Sequence, residues 1–177
     1  MMDLFETIRA RQSVRAYLDK EIEAGKLEAI LRAANQSPSA GNLQAYQVIL
    51  IREKSLILKL AKATYNQDFI TQAPVVLAFC ADVERSSAKY GSAGERLFCV
   101  QDATIATAYA QLAATALGLA TCWIGAFDEQ KVAGVLGLKP GLRPVAILPV
   151  GWPAESPERT PRRSLDELVS ELRAAAG

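Results

Sequence analysis

Apolar residues recur along the chain in two spacings, one typical of amphipathic helices and one typical of buried strands. Recurrence at every third or fourth position predicts helices, and short apolar runs bounded by Gly, Pro or polar residues predict strands. The predicted helices span residues 3–10, 21–37, 54–63, 94–117, 128–138 and 164–176. The predicted strands span residues 45–52, 74–82 and 143–153, and residues 120–127 are predicted to form a strand followed by a loop.

Local signals support several of these elements. Asp3, Asp128 and Ser164 precede three of the predicted helices. Their side-chain oxygens can accept a hydrogen bond from a free backbone N–H of the first turn. The strands are interpreted as buried on both faces and are separated by helices, which indicates one layered α/β or α+β domain over residues 1–177.

The helix predicted over residues 94–117 is apolar on nearly all sides. No charged residue occurs from Ala103 to Phe127, but Ala, Thr and Gly dominate, which favours a helix buried in a protein over a membrane span. One subunit of this size is too small to cover such a helix on all sides. We therefore predict a homodimer that buries part of it; a helix internal to a monomer is the alternative.

Composition narrows the function classes. Half of the residues are hydrophobic and the net charge is +1, so nothing indicates nucleic acid as a partner. The chain has no histidine, which excludes a Ser-His-Asp triad, a Cys-His pair and a histidine metal site. Cys80, Cys99 and Cys122 lie in apolar surroundings without metal-ligand spacing, which predicts buried, reduced thiols in a cytoplasmic protein; a catalytic thiol, for which no base is evident, is the alternative. Acidic residues in the first ten positions argue against a signal peptide.

Arg11, Ser13 and Arg15 occupy alternate positions just after the first predicted helix. In an extended segment such positions project to one side, so two guanidiniums and a hydroxyl converge. A phosphate has the matching geometry, since Arg binds it in a bidentate manner. Three ordinary polar residues on a solvated surface are the alternative.

A Gly-containing loop before the strand at 45–52 is rich in polar side chains. They are Ser37, Ser39, Asn42 and Gln44. Hydroxyls, amides and free backbone N–H groups in such a loop suit a planar polar ligand. The same residues also suit a simple turn, which is the alternative.

Two further positions are candidates for ligand contact. Gly125 lies just beyond a strand, where the lack of a side chain allows a ligand to approach the backbone. Arg162 and Arg163 come directly before a predicted helix N-terminus, a natural place for an anion. The chain shows no obvious lid segment between Asp82 and Gly94, although residues 83–95 could form a mobile cover over a pocket.

Four of these segments, in order, resemble the nitroreductase family of FMN-dependent oxidoreductases. "RQSVRAY" is similar to the family's Arg-x-Ser-x-Arg motif, and "SPSAGNLQAYQVILI" to its Ser-Pro-Ser-x-x-Asn-x-Gln-Pro-Trp loop and following strand. "LFCVQDATIATAYAQLAATALGLATCWIGAFDE" is similar to its central helix and next strand, and "LPVGWPAESPERTPRRSLDELV" to its C-terminal segment. The resemblance implies a three-layer α+β fold with a mostly antiparallel sheet of about four to five strands. It also implies a homodimer with FMN at the subunit interface.

The resemblance implies which residues hold the FMN phosphate. Arg11, Ser13 and Arg15 would bind the phosphate and the ribityl end. Arg162 or Arg163 would complete the phosphate site, and the resemblance does not choose between them.

Other matching residues would lie along the isoalloxazine ring. Ser39, Asn42 and Gln44 would border the flavin or the substrate space. Asn66 would hydrogen-bond the ring edge, Gly125 would direct its N–H toward flavin N5, and Ile124 would pack on the ring.

The chain departs from the family pattern at two places. The usual Pro-Trp of the loop is Ala45-Tyr46. Many members have a lysine three residues after the asparagine that matches Asn66, and this chain has Phe69. That lysine stabilises the negative edge of reduced flavin, so the resemblance leaves open which cation replaces it.

The resemblance finally implies an activity. FMN would accept hydride from NADH or NADPH and pass it to a flat aromatic acceptor, such as a nitroaromatic or a quinone, in a ping-pong cycle. The flavin carries this chemistry, so no catalytic residue is assigned and the lack of histidine is no obstacle. The chain has no G-x-G-x-x-G motif for a dedicated dinucleotide site. The alternatives are a specialised flavin enzyme of the same fold, such as a reductive dehalogenase or dehydrogenase, and a non-catalytic FMN-binding protein.

Overall fold

The computed structural model describes residues 2–172. The helices are α1 (Leu4–Ala10), α2 (Ala24–Asn35), α3 (Lys54–Ala63), α4 (Val83–Ala93), α5 (Cys99–Ala116), α6 (Glu129–Leu136) and α7 (Leu165–Leu168). The strands are β1 (Tyr46–Ile51), β2 (Val75–Asp82), β3 (Ala120–Thr121) and β4 (Leu142–Gly151). A π-helical turn, Gly94–Phe98, leads directly into α5. The predicted α+β fold is therefore confirmed.

All strand pairs in the described part of the chain are antiparallel, and the sheet order is β1-β2-β4-β3. The central strands β2 and β4 are almost wholly buried. The interpretation that all strands are buried on both faces is wrong for β1, where Gln47 and Leu50 are exposed. β1 lies at the edge of the sheet, so fewer neighbours cover it.

Helices cover both faces of the sheet, which gives three layers. Val75, Leu77 and Phe79 of β2 point to one face, where they pack with residues of α2 and α5. Val76 and Ala78 point to the other face, where they pack with α3 and α6. The continuous apolar run of β2 follows from this arrangement, because successive side chains alternate between two helix-covered faces.

α5 is the central helix of the fold. Its small residues Ala106, Ala110 and Ala114 are fully buried, which lets the helix lie close to the sheet and to α2. A second stripe along α5 stays partly open, with Ile105 half-buried and Tyr109 40% exposed. No helix in residues 2–172 is long and apolar enough to cross a membrane.

The structure differs from the sequence predictions at three further places. In the segment 120–127, predicted as a strand and a loop, the strand is only two residues long (β3); the chain leaves the ladder at Cys122 and Trp123 and pairs again at Ile124. The helix predicted over 164–176 ends at Leu168, where the apolar side chains are exposed and no packing extends the helix; residues 173–176 lie outside the described range. α4 was not predicted, although Asp82 caps it by accepting from the Arg85 N–H at 2.9 Å.

Candidate functional site

A cavity of about 670 Å³ lies between the segment that follows α1 and the C-terminal segment. Arg11, Ser13, Arg15 and Arg162 all line it. α1 ends at Ala10, and Arg11 has φ −58° and ψ 121°, so the chain leaves the helix in a non-helical conformation. The structure thus turns the alternate positions 11, 13 and 15 toward one space and brings an arginine from the far end of the chain to it.

Backbone hydrogen bonds hold the 11–17 segment in place. The Val14 N–H donates to Thr121 O of β3 at 3.0 Å, and the Ala154 N–H donates to Ala16 O at 2.9 Å. Val14 and Tyr17 are buried on the side facing the protein. Ser13 and Arg15, on either side of Val14, line the cavity.

Sequence reasoning did not identify Glu155 at this site. Its carboxylate accepts the backbone N–H of Arg15. Glu155 lies four residues beyond β4, so it also ties the start of the C-terminal segment to the arginine motif. A pairing of residues so far apart in the chain leaves no local pattern by which it could be predicted.

Cys122 lies beneath the same segment and is 2% exposed. Burial raises the pKa of its thiol, while the Arg15 charge and a hydrogen bond with Ser13 act in the opposite direction. Burial likewise raises the pKa of Tyr17, whose hydroxyl donates to Val14 O at 2.8 Å. Both groups are therefore neutral near pH 7, which agrees with the predicted buried, reduced thiol.

The two adjacent C-terminal arginines point to different partners. Arg162 lines the cavity. Arg163 donates from Nη2 to Glu167 O at 2.8 Å, and its Nε lies 3.5 Å from the Glu167 carboxylate. The structure therefore directs Arg162, and not Arg163, toward the other two guanidiniums.

The loop residues predicted for the site lie elsewhere on the same chain. Ser39 borders a separate surface pocket of about 470 Å³, beside Phe98 and Asp102. Asn42 and Gln44 have left-handed backbone conformations, with φ 56° and 51°. The Ser39 hydroxyl accepts the Gln44 N–H at 2.9 Å, which closes the loop on itself.

α5 separates this polar loop from the cavity that Arg11, Arg15 and Arg162 line, called the arginine cavity below. The loop hydrogen-bonds to Asp102 near the start of α5, whereas Thr121, the partner of Val14, contacts Gln111. Nine helical residues separate these contact points, which at 1.5 Å per residue is about 14 Å along the axis. One chain therefore does not bring the two sets of predicted residues together.

The remaining predicted residues belong to the segments that follow α3 and β3, and these two segments lie near each other. Asn66 is exposed, with φ 61°, and the adjacent Gln67 donates to Ala126 O at 3.2 Å. Gly125 is exposed, and a Cβ there would lie 3.4 Å from the Trp123 ring nitrogen. The Ile124 side chain is fully buried in the core against α3 and α6, so it offers little surface to a ligand ring.

α4 covers the polar loop. Arg85 donates to Leu43 O at 3.1 Å, and the Tyr90 hydroxyl and the Lys89 ammonium fill the space where a side chain at Gly41 would stand. Glycine suits position 41, since its φ is also positive and a larger residue would have to displace these two side-chain ends. The segment regarded as a possible cover is thus a helix packed on the loop.

Comparisons with known proteins agree with this architecture. A model of the nitroreductase family matches residues 8–66 and 57–152. The chain is 30% identical over 178 residues to the oxygen-insensitive NADPH nitroreductase of Salmonella typhimurium, covering 97% of this chain and 74% of that protein. It is 30% identical over 175 residues to an NAD(P)H FMN reductase of Bacillus subtilis, covering 92% and 70%.

A solved structure extends the match to three dimensions. NfrA2 of B. megaterium superposes with a TM-score of 0.88 and 30% identity, covering 96% of this chain and 74% of that one. The family match includes the arginine motif, the polar loop, α5 and β4. The match runs from residue 8 to residue 152, which is well over half of the chain, so the chain belongs to the nitroreductase family.

Proposed function

We propose that this protein is an FMN-dependent oxidoreductase that uses NADH or NADPH to reduce a flat aromatic acceptor, such as a nitroaromatic or a quinone. One observation carries the proposal: Arg11, Ser13, Arg15 and Arg162 line a single cavity. The names of the relatives, an NADPH nitroreductase and an NAD(P)H FMN reductase, support the same activity. The whole chain then acts as one FMN-binding domain.

The residues of the cavity fit the phosphate end of FMN. Among the described residues, no carboxylate forms an ion pair with Arg11, Arg15 or Arg162, so the charge of these three guanidiniums is available to a dianion. The Gln12 side chain also lines the cavity, and its Oε1 is buried with no hydrogen-bond partner in the described part of the chain. A buried polar atom without a partner is unusual in a folded protein and indicates a ligand or water at this position.

The proposed site is completed by a second copy of the chain. The polar loop and the arginine cavity lie at different points along α5, and the outer stripe of α5 with Ile105 and Tyr109 is only partly covered. Exposed Leu4, Phe5 and Ile8 on α1 add apolar surface to the same chain. A homodimer that buries these surfaces and places the loop of one copy opposite the cavity of the other satisfies both observations.

Bound FMN would supply the electron chemistry, accepting hydride from the nicotinamide and passing it to the acceptor. The protein residues bind and orient. Arg11, Arg15 and Arg162 hold the phosphate, and the exposed Gly125 leaves its backbone N–H accessible to the ring. Asn66 precedes Gln67, whose side chain donates a hydrogen bond to Ala126 O. This hydrogen bond joins the segment of Asn66 to the segment of Gly125.

On the other side of the ring, the partner's copy of the loop would contribute the side chains of Ser39, Asn42 and Gln44. Phe69 provides no cation at the position where many family members have lysine. The Lys89 ammonium lies against Gly41 of the loop, and the Arg85 guanidinium donates to Leu43 O of the same loop, so α4 brings two cations there. The free, buried thiols of Cys80, Cys99 and Cys122 support a reducing, cytoplasmic location.

An anaerobic titration tests the proposed function. Purified protein, reconstituted with FMN, should show a flavin spectrum that bleaches on addition of NADH or NADPH and recovers on addition of a quinone. Failure to retain FMN overturns the proposal. If FMN binds but neither NADH nor NADPH bleaches it, the protein is a non-catalytic FMN-binding protein instead.

A further inference from the structure

The central helix contains one buried carboxylate. Asp102, in the first turn of α5, is 2% exposed and forms no ion pair with any other residue in the range 2–172. Its Oδ1 accepts the Ala40 N–H at 2.9 Å, and its Oδ2 accepts the Ala45 N–H at 3.2 Å. Burying a carboxylate is costly unless hydrogen bonds replace its hydration, and these two backbone donors provide that replacement.

The two donors mark the two ends of the polar loop. Ala40 begins its 3₁₀ turn, and Ala45 is the last residue before β1. Between them, Gly41, Asn42 and Gln44 all have positive φ. Asn and Gln in the left-handed region are strained relative to ordinary conformations and persist only where surrounding contacts impose them.

The Asp102 carboxylate is the contact that spans this strained stretch. One oxygen holds the entry and the other holds the exit, so the loop cannot lengthen or flatten without breaking a charge-assisted hydrogen bond. Ser39 adds a third restraint through the Gln44 N–H. Asn42, between the held ends, remains exposed and available to a ligand.

We propose that Asp102 is a positioning residue that fixes the shape of the 39–45 loop, so that Ser39, Asn42 and Gln44 are presented to a flavin bound at the facing cavity of a second copy. This inference rests on the proposed function for the identity of the ligand. Asp102 does not touch the ligand itself. Ile105, three residues along α5, lies on the stripe proposed to meet the second copy, so the loop and the interface share one rigid helix.

Asp102→Asn is the decisive variant, because it keeps the side-chain volume and replaces one acceptor oxygen with an NH₂ donor. That donor must face the N–H of Ala40 or of Ala45. Thr107→Ala is the matched control: Thr107 is also buried on α5, donates to Ala103 O at 2.7 Å and contacts no loop residue through a hydrogen bond. It should lower the melting temperature without affecting the loop.

The first readout is amide hydrogen exchange at Ala40 and Ala45 in the protein without added FMN. Both amides should be protected in the wild type, and Asp102→Asn should lose protection at one or both while Thr107→Ala keeps it. The second readout is binding and turnover. Displacement of the loop by about 1 Å should raise the FMN Kd and the acceptor KM by about tenfold or more in Asp102→Asn, but not in Thr107→Ala.

Two results overturn the inference. One is rapid exchange of the Ala40 and Ala45 amides in the wild type, which is measurable even when the variant does not fold. The other is an Asp102→Asn protein whose exchange and FMN Kd match those of Thr107→Ala. A wild type that binds no FMN but protects both amides rejects the proposed function and leaves the carboxylate as a structural restraint only.

Discussion

Arg15 donates its backbone N–H to the carboxylate of Glu155, which lies 140 positions later in the chain. This hydrogen bond joins the arginine motif to the segment that carries Arg162 into the same cavity. The three guanidiniums therefore depend on a contact between two chain segments, and not on the motif alone. The contact can be removed without touching any of the arginine side chains.

Glu155→Ala should weaken FMN binding, because Arg15 loses the acceptor that fixes its backbone. The loss of one such hydrogen bond corresponds to a rise in the Kd of roughly three- to tenfold. Glu155→Gln is the control, since its amide oxygen can still accept the N–H while a negative charge is removed from the neighbourhood of the phosphate. Fluorescence titration of FMN measures both variants, and equal affinity of Glu155→Ala and the wild type would contradict the role given to Glu155.

Arg162 and Arg163 should differ sharply when each is replaced by alanine. Arg162→Ala removes a guanidinium from the cavity and should raise the FMN Kd by about tenfold or more, as expected for a charge-assisted contact with phosphate. Arg163→Ala removes only the exposed contacts with Glu167 and should change the Kd little. Equilibrium dialysis can compare them; the reverse order of effects would mean that the C-terminal segment is arranged differently in the holoprotein.

Gly125→Ala tests the backbone approach proposed for the flavin ring. A Cβ at this position meets only the Trp123 ring, with Nε1 at 3.4 Å and Cδ1 at 3.8 Å, so the fold should tolerate it with a change in unfolding free energy below about 1 kcal/mol. The added methyl group should instead obstruct the ring and slow flavin reduction by NADH or NADPH. Thermal melts and anaerobic stopped-flow measurements separate the two effects, and unchanged reduction rates would remove Gly125 from the site.

Ile105→Asp should dissociate the proposed homodimer, because it puts a charge in the partly covered stripe of α5. The variant should sediment as a monomer and lose most of its FMN affinity, since the loop of the partner is no longer present. Leu58→Asp is the matched control: Leu58 is 50% exposed on α3, away from this stripe. A wild type that already sediments as a monomer while holding FMN would rule out the shared site.

The buried thiol of Cys80 should make stability fall at high pH. Burial raises its pKa from about 9 in the unfolded chain to about 12, so above pH 9 the unfolded state loses a proton that the folded state keeps. Stability from this group is complete below pH 9 and decreases as pH rises, by up to about 1.4 kcal/mol per pH unit. Urea unfolding between pH 7 and pH 10.5 should show a shallower decline for Cys80→Ala; parallel curves would exclude this contribution.

Much of the architecture follows from local pattern. α3 spans the predicted residues 54–63, and the caps Asp3, Asp128 and Ser164 each accept the N–H three residues later. β2 and β4 also match their apolar runs closely. These features depend on hydrophobic periodicity and on hydrogen bonds within one turn, both of which are visible in neighbouring residues.

The sequence by itself determined most of the elements, the alternation that turns Arg11, Ser13 and Arg15 to one side, and the resemblance that identified the family. Only the tertiary structure decided that Arg162 joins them, that Glu155 fixes the motif, and that the 39–45 loop lies apart from the cavity and is held by Asp102. The physical reason is the separation in sequence between the residues that interact. Periodicity and capping act between residues a few positions apart, whereas these partners are brought together only when the sheet and α5 pack.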